Sequence, residues 1–473
     1  MRKTLFLNPP SYSGFDGGAG SRYQARREVR SFWYPTWLAQ PAAMVDGSKL
    51  IDAPPDGLGL EDVVRQAKDY DLIIIHTSTP SLSNDVEVAE RLKQERPSAL
   101  IGFVGPHTSV LPEETLRAST AIDFVTRDEF DYTIREIASR DRFDEVDGIS
   151  FRKNGHIAHT PDRPVIQNMD ELAFVTDVYK RDLTIENYVI GYLQHPYVSI
   201  YTGRGCRSRC TFCLWPQTLG GHIYRVRSPE NVYQEMKLAK EYFPQVKEFF
   251  FDDDTFTDNI PRAIEIGRRL KTLGITWSCN SKANVPYDAL KVLKDCGLRL
   301  LLVGYESGNQ QILNNIKKGL HLEQARTFTR DCKSVGILIH GTFIVGLPGE
   351  TPETIEQTIR YACELDVYSI QVSLSAPYPG TALYEQASRN GWLVKDKLVS
   401  DSGVQQATLQ YPGLSREAIF EAMERFYMRF YFRPRPILRI VKDMLKDREV
   451  MVRRLREGRE FLSFMMTHKS SAA

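Results

Sequence analysis

Gly203-Arg204-Gly205-Cys206-Arg207-Ser208-Arg209-Cys210-Thr211-Phe212-Cys213-Leu214-Trp215 places three of the chain's seven cysteines within eight residues and supplies no fourth. Thiolates this close hold zinc or an iron–sulfur cluster. Structural zinc closes with four ligands, and the nearest further candidate, His222, lies nine residues on, beyond Gly220-Gly221. A cubane held by three cysteines keeps one iron free of protein ligands, so that a substrate or cofactor can coordinate there. Zinc stays as the competing reading.

The three cysteines follow the first of six predicted strands, 197–202, 247–252, 275–280, 298–304, 338–345 and 368–374. Helices at 229–243, 260–273, 286–296, 321–335 and 352–365 alternate with them. Such a series predicts a full or partial parallel barrel, whose working face is the loops at the carboxyl ends of the strands. An earlier series, with strands Thr4–Leu7, Lys49–Asp52, Asp71–His76, Ala99–Val104 and Ile122–Thr126, has helical patterns at Leu60–Tyr70, Asn84–Glu95 and Phe130–Ser139. It predicts a doubly wound domain with ligands at its strand ends, Asn8-Pro9-Pro10, Thr77–Pro80 and Gly105-Pro106-His107. No Walker A or GxGxxG pattern follows the first strand. The expected fold is therefore α/β. Residues 1–140 form a five-stranded doubly wound parallel sheet, and 141–194 a linker with a small hairpin turning at Asn154-Gly155. Residues 195–385 form a partial (β/α)6 barrel, and 386–473 a helical basic region.

The 473 residues are 42% apolar and 26% charged with net charge +1, which gives no global attraction to nucleic acid. An odd cysteine count in a long chain, and an N-terminus whose apolar run meets Pro9-Pro10 too early for a signal core, lead to the expectation of a reduced cytoplasmic protein. No window approaches eighteen consecutive apolar residues.

The spacing Cys-x3-Cys-x2-Cys, the aromatic Phe212 before the last cysteine, the approach through Gly203 and Gly205, and the position after the first of six βα units resemble the radical S-adenosylmethionine (SAM) superfamily over 195–385. The resemblance implies a [4Fe–4S] cluster on Cys206, Cys210 and Cys213, and SAM chelated to the open iron. It also implies a flavodoxin- or ferredoxin-type electron donor and cleavage of SAM to a 5′-deoxyadenosyl radical. Phe212 would lie near the adenine. After the second strand, Phe251-Asp252-Asp253-Asp254-Thr255-Phe256 stands where the family has a Gly-Gly-Glu-like motif. Asp252 or Asp253 would then receive the SAM ammonium; the alternative is an acidic turn capping the next helix. In Gly304-Tyr305-Glu306-Ser307-Gly308, Glu306 would contact SAM polar groups. In Thr342–Glu350 (TFIVGLPGE), only Ile344 and Gly346 carry over from the adenine-packing pattern, since its first Gly is Thr342 and its glutamate arrives one residue late, at Glu350. Cys279, Cys296, Cys332 and Cys363 have no mutual ligand spacing and read as buried apolar thiols, with Cys279 held open.

A doubly wound domain before such a barrel resembles the cobalamin-binding radical SAM family and implies a cobalamin on the first domain. The mutase pattern Asp-x-His-x-x-Gly is absent. Asn8 and His107, with His76, stand at the strand ends where a corrin would lie. The connection after the first strand, residues 11–44, exceeds thirty residues, where two to six are usual. It interleaves Arg22, Arg26, Arg27 and Arg30 with Tyr23, Phe32, Trp33, Tyr34 and Trp37. It is expected to fold over cofactor or substrate; the alternative is an inserted helix packing its aromatics into a domain interface.

This stretch, with LIDAPP and FFFDDDTFTDN, resembles a subgroup acting on the side-chain sugar of bacteriohopanetetrol in hopanoid biosynthesis. It implies a lipid-linked substrate, the amino-sugar of glucosaminyl bacteriohopanetetrol, whose ring contracts to the cyclitol ether. The alternatives are cobalamin-dependent methylation of an unactivated carbon and a zinc-stabilised cobalamin-binding regulator without turnover. No acid–base residue is singled out.

From Arg425 to Lys469 the tail carries thirteen Lys or Arg against five Asp or Glu. Ile437, Ile440, Val441, Met444 and Leu445 fall on one helical face, the pattern of a peripheral anchor on the inner membrane face or of a helix packed on the barrel.

Overall fold

The computed structural model describes residues 1–10, 31–394, 398–399, 405–446 and 448–471. The first sheet holds five parallel strands, β1 (Thr4–Asn8), β2 (Lys49–Asp52), β3 (Leu72–His76), β4 (Leu100–Val104) and β5 (Phe124–Thr126), in the order β2-β1-β3-β4-β5. Runs such as Leu72-Ile73-Ile74-Ile75 are buried along their whole length, as strands covered by helices on both faces must be. The chain order reverses between β1 and β3, which opens a crevice at the carboxyl edge.

The hairpin departs from its expected place in a linker. Its strands β6 (Ile149–Lys153) and β7 (His156–His159) join the first sheet antiparallel to β5 and extend it to seven strands. Asn154 and Gly155 turn it with φ of +51° and +80°, the two positive values that a tight hairpin turn of this twist requires. Apolar packing holds it there: the Phe143 ring lies 5.1 Å from Phe124 and 5.4 Å from Phe151.

The second sheet is an open half-barrel of six parallel strands, β8 (Tyr197–Ile200), β11 (Glu248–Phe251), β12 (Trp277–Ser281), β13 (Leu298–Glu306), β14 (Leu338–Val345) and β15 (Ser369–Leu374), paired in that sequence. Between β8 and β11, the ribbon β9 (Gly203–Arg204) and β10 (Arg225–Val226) carries two arginines that lock the sheets together. Arg204 makes a two-point contact with Asp131 at 2.6 and 3.0 Å, and Arg225 another with Glu129 at 2.8 Å each. All four groups are buried, so each charge depends on its partner.

The helix Arg416–Tyr431 covers the edge strand β15. Tyr427 and Tyr431, one turn apart, accept the amide hydrogens of Val372 and Ile370 through their hydroxyl oxygens at 2.8 and 3.1 Å. They thereby satisfy backbone that an open edge would leave to another chain. The helices Pro434–Met444 and Arg448–Ser471 then turn across the amino-terminal end of the barrel, where Arg453 and Arg454 donate to the Leu193 and Gly191 carbonyls. No described helix is long and apolar enough to cross a membrane.

Candidate active site

The carboxyl ends of the half-barrel strands surround an open cavity of about 1170 Å³, including the solvent at its mouth. Cys206, Cys210 and Cys213 all line it, together with Phe212, Glu306 and Ile344. The cysteine loop is shaped by Gly205, at φ +87°, where a Cβ would stand 2.3 Å from the Ile223 carbonyl oxygen and 2.6 Å from that of Gly220. It is stapled from below by Gln217, which donates to the Cys213 carbonyl at 2.6 Å while accepting from the Ala382 amide at 2.9 Å. His222 turns its Nδ1 to the Ser208 carbonyl at 2.9 Å, so that nitrogen is occupied with loop backbone. Among the described residues no three His, Cys, Asp or Glu side chains already stand in metal-ligand geometry. The thiols share a cavity wall with room beside them. Burial pushes the Cys210 thiol pKa up, and the nearby Lys318 ammonium opposes that.

Glu306 reaches the cavity through a bulge. The β13–β14 register shifts between Gly304 and Glu306, and Glu306 adopts φ +62°, a strained value for a side chain of its size. Its carboxylate then meets Lys318 Nζ at 2.6 Å. A Cβ on Gly304 would lie 2.3 Å from that carboxylate and 2.7 Å from the ammonium, so glycine is what lets the pair cross beneath it. Lys318 was not singled out from the sequence. Nothing in Lys317-Lys318-Gly319 distinguishes it from a surface lysine until the bulge brings Glu306 to it.

The acidic triplet divides its work differently from the expectation. Asp253 is fully buried and accepts from the Thr202 amide, the Thr202 hydroxyl and the Tyr224 hydroxyl at 2.5–2.6 Å. Asp252 accepts from the Asn280 side-chain amide at 2.9 Å and the Tyr201 hydroxyl at 3.3 Å, and Trp37 Nε1 donates to that same hydroxyl. Neither lines the cavity. The carboxylate that does is Asp254, along with Asn280, whose Oδ1 is buried without a hydrogen-bond partner among the described residues.

On the fifth strand Ile344 lines the cavity, whereas Gly346 lies behind it at φ +83° against Ile419. Glu350, set aside for its spacing, folds back to accept from the Gly346 and Leu347 amides at 2.7 and 3.0 Å. Full burial pushes its carboxyl pKa up to about 8, with those two amides opposing.

At the edge of the first sheet, Asn8 donates to Asp52 at 2.6 Å and is thereby occupied within the fold. His107 is buried, its Nδ1 at 2.9 Å from the Thr79 hydroxyl and its Nε2 without a partner among the described residues. His76 is buried with neither ring nitrogen hydrogen-bonded among the described residues. Desolvation lowers both imidazoles to about 4, so they are neutral. Gly105, at φ +126°, lets the backbone pass close to the end of β3: a Cβ there would stand 2.3 Å from the Thr77 carbonyl oxygen. Of the long connection, Arg22, Tyr23, Arg26, Arg27 and Arg30 fall outside the described residues. Phe32, Tyr34 and Trp37 pack into the interface, with Trp37 stacked on Trp215 at 5.1 Å, while Trp33 lines the cavity. Cys279, Cys296 and Cys332 are buried in the core and Cys363 is half-buried.

A doubly wound sheet locked onto an open parallel half-barrel, with three cysteines in the cavity at its carboxyl end, defines a two-module cofactor enzyme. The signature of the Radical SAM superfamily matches residues 200–362, and that of the B12 binding domain matches residues 25–138. The chain is 30% identical over 476 residues, 97% of its own length and 98% of the relative's, to an uncharacterized methyltransferase of Pyrococcus horikoshii. It is 26% identical over 414 residues to the cytidylyl-2-hydroxyethylphosphonate methyltransferase of Streptomyces wedmorensis, covering 78% and 77% of the two chains. With the hopanoid C-3 methylase of Methylococcus capsulatus it shares 27% over 317 residues, 64% and 58% of the two. Its fold matches that of TsrM, a radical SAM methyltransferase from Kitasatospora setae, with TM-score 0.70 and 15% identity over 92% and 89% of the chains. The chain belongs to the cobalamin-dependent branch of the radical SAM superfamily.

It is an enzyme of that branch, with a [4Fe–4S] cluster, SAM and cobalamin as cofactors. The residues present fit them: three thiols line one cavity, and at the edge of the first sheet buried imidazole nitrogens of His76 and His107, without partners among the described residues, stand beside Gly105.

Proposed function

We propose that Cys206, Cys210 and Cys213 hold the cluster, that Glu306, Lys318, Asp254 and Ile344 hold SAM, and that the edge at His76, Gly105 and His107 holds cobalamin. When bound, the reduced cluster supplies the electron that splits SAM to a 5′-deoxyadenosyl radical, and cobalamin supplies a second one-carbon or radical centre. The protein's own part is to fix charges around the cavity. Lys318, paired with Glu306, keeps a cation beside Cys210 and Cys213. Asp252 holds the Asn280 amide still, leaving its carbonyl oxygen as a fixed acceptor.

The substrate we assign is a polar, hydroxyl- or amine-bearing group on a lipid-linked molecule, with ring contraction of the amino-sugar of glucosaminyl bacteriohopanetetrol as the reaction. The observation behind this reading is that Asn280, Thr342, Gln371 and Ser373, all with hydrogen-bonding side chains, stand among the residues lining the cavity beside Trp33, Leu302 and Phe343. Those four side chains suit a sugar head better than an apolar ring system. The relatives named as methyltransferases favour a second reading, methyl transfer to an unactivated carbon.

Anaerobic turnover with glucosaminyl bacteriohopanetetrol separates the two. Contraction yields an isomeric product with 5′-deoxyadenosine and without S-adenosylhomocysteine, one electron and one proton from the external reductant replacing the hydrogen that the deoxyadenosyl radical removes. Methylation yields a product heavier by one CH2 together with S-adenosylhomocysteine, and that result would overturn the contraction reading.

A further inference from the structure

The helix Pro434–Met444 buries only Pro436. Its apolar side chains Ile437, Leu438 and Val441 are exposed, and Leu445 just beyond it is 80% exposed; the spacing puts all four on one face. Phe432, at the junction with the preceding helix, is 58% exposed as well. Isolated apolar residues on a surface need no explanation, but four on one helical face do. Arg435 and Lys442 border the stripe along one edge and are exposed, as is Arg448 at the start of the next helix. Of the acids nearby among the described residues, Asp443 accepts from Tyr368 at 2.9 Å and from Lys446 at 2.8 Å, and Glu449 pairs with Lys247 at 3.1 Å. The described surface therefore combines an apolar ridge with cations along one edge.

We propose that this face docks on an anionic lipid surface, with Leu438, Val441 and Leu445 entering the boundary between headgroups and acyl chains while Arg435 and Lys442 meet lipid phosphates. Charge complementarity selects lipid as the occupant. A protein partner would bury the cations as well as the stripe, whereas long basic side chains at a lipid surface keep their charge among the phosphates while the stripe is covered.

The docking face lies at the amino-terminal end of the barrel, away from the cysteine cavity. The helix Arg416–Tyr431 runs from Ile419, against Gly346 at the far end of β14, to Tyr431, at the start of β15. Docking there holds the enzyme at a membrane with its cavity facing outward, and it does not depend on which substrate the cavity takes.

The test is co-sedimentation of the reconstituted full chain with phosphatidylcholine vesicles, with and without phosphatidylglycerol. Binding is expected only to the anionic vesicles and should weaken with salt. Leu438→Glu/Leu445→Glu should abolish it. Arg435→Ala/Lys442→Ala should weaken it roughly 30-fold, at about 1 kcal/mol per cation. Both pairs should leave cofactor content and 5′-deoxyadenosine formation unchanged. Equal binding to neutral vesicles, or none to either, would overturn the proposal. So would a dimer in solution that Leu438→Glu/Leu445→Glu converts to monomer, which would assign the stripe to a second copy of the chain.

Discussion

The carboxyl edges of the two sheets face comparable tasks with opposite preparation. In the half-barrel, the carboxylates behind the cavity each have partners, Asp253 in Thr202 and Tyr224, Glu306 in Lys318 and one Glu350 oxygen in two backbone amides, while Asn280 Oδ1 and the other Glu350 oxygen have none among the described residues. At the edge of the first sheet, His76 is buried with both ring nitrogens unpartnered among the described residues, and His107 with one. Buried polar atoms left without partners cost about 1–3 kcal/mol each, so this edge gains partners when a large polar ligand covers it. On the proposed assignment, the barrel site is stiffened by its own bonds and the first sheet's edge gains its missing partners from the cobalamin.

The largest effect should come from crowding the edge proposed for cobalamin. Gly105→Val puts side-chain atoms into the Thr77 carbonyl and should abolish cobalamin uptake, read from corrin absorbance after desalting, while iron content stays intact. Retained corrin would break the contrast. On the barrel side, Lys318→Met strands Glu306 beside the thiols and should lower the rate of 5′-deoxyadenosine formation about 10–100-fold, the usual cost of losing a group that positions a metal site. Glu306→Gln/Lys318→Met, which removes both charges, should recover part of that loss.

A smaller and more local effect separates the acidic neighbours. Asp253→Asn should cost about 2–4 kcal/mol of stability in chemical denaturation, because three donors lose a charged acceptor. Asp254→Asn should leave stability unchanged and weaken SAM binding in calorimetry. The reverse pattern would restore Asp253 to the role expected of it from the sequence.

The smallest is a pH slope. Glu350 has a folded pKa of about 8 against an ordinary 4.5, so between those values the folded state holds a proton that the unfolded chain has released. Stability from this group is greatest below about 4.5 and falls as pH rises toward about 8. Asp52, raised by burial to about 7, acts in the same direction. Glu350→Gln should flatten the decline in melting temperature across that interval.

These pairings also mark what could be read in advance. Runs such as Leu72–Ile75 and the Cys-x3-Cys-x2-Cys spacing are local, and the strands and the shared cavity wall followed from them. Glu306 was legible because a charged residue ending an apolar strand has few places to go. Asp254, Lys318 and the position of Glu350 were not, since each depends on a partner or a backbone irregularity far away in sequence. Which of three consecutive aspartates faces the cavity is decided by Thr202, Tyr224 and Asn280 claiming the other two. The hairpin was recognised by its Asn154-Gly155 turn, but its place beside β5 depends on Phe143 bridging Phe124 and Phe151, which no local pattern reveals.

The most direct test of the account is anaerobic reconstitution with iron and sulfide, then incubation with SAM and a strong reductant, with 5′-deoxyadenosine measured by mass spectrometry for the native chain and Cys210→Ala. The account predicts deoxyadenosine from the native protein and only background from the variant. A native protein with a verified cluster that forms none, or one that takes up zinc and no iron, would contradict it.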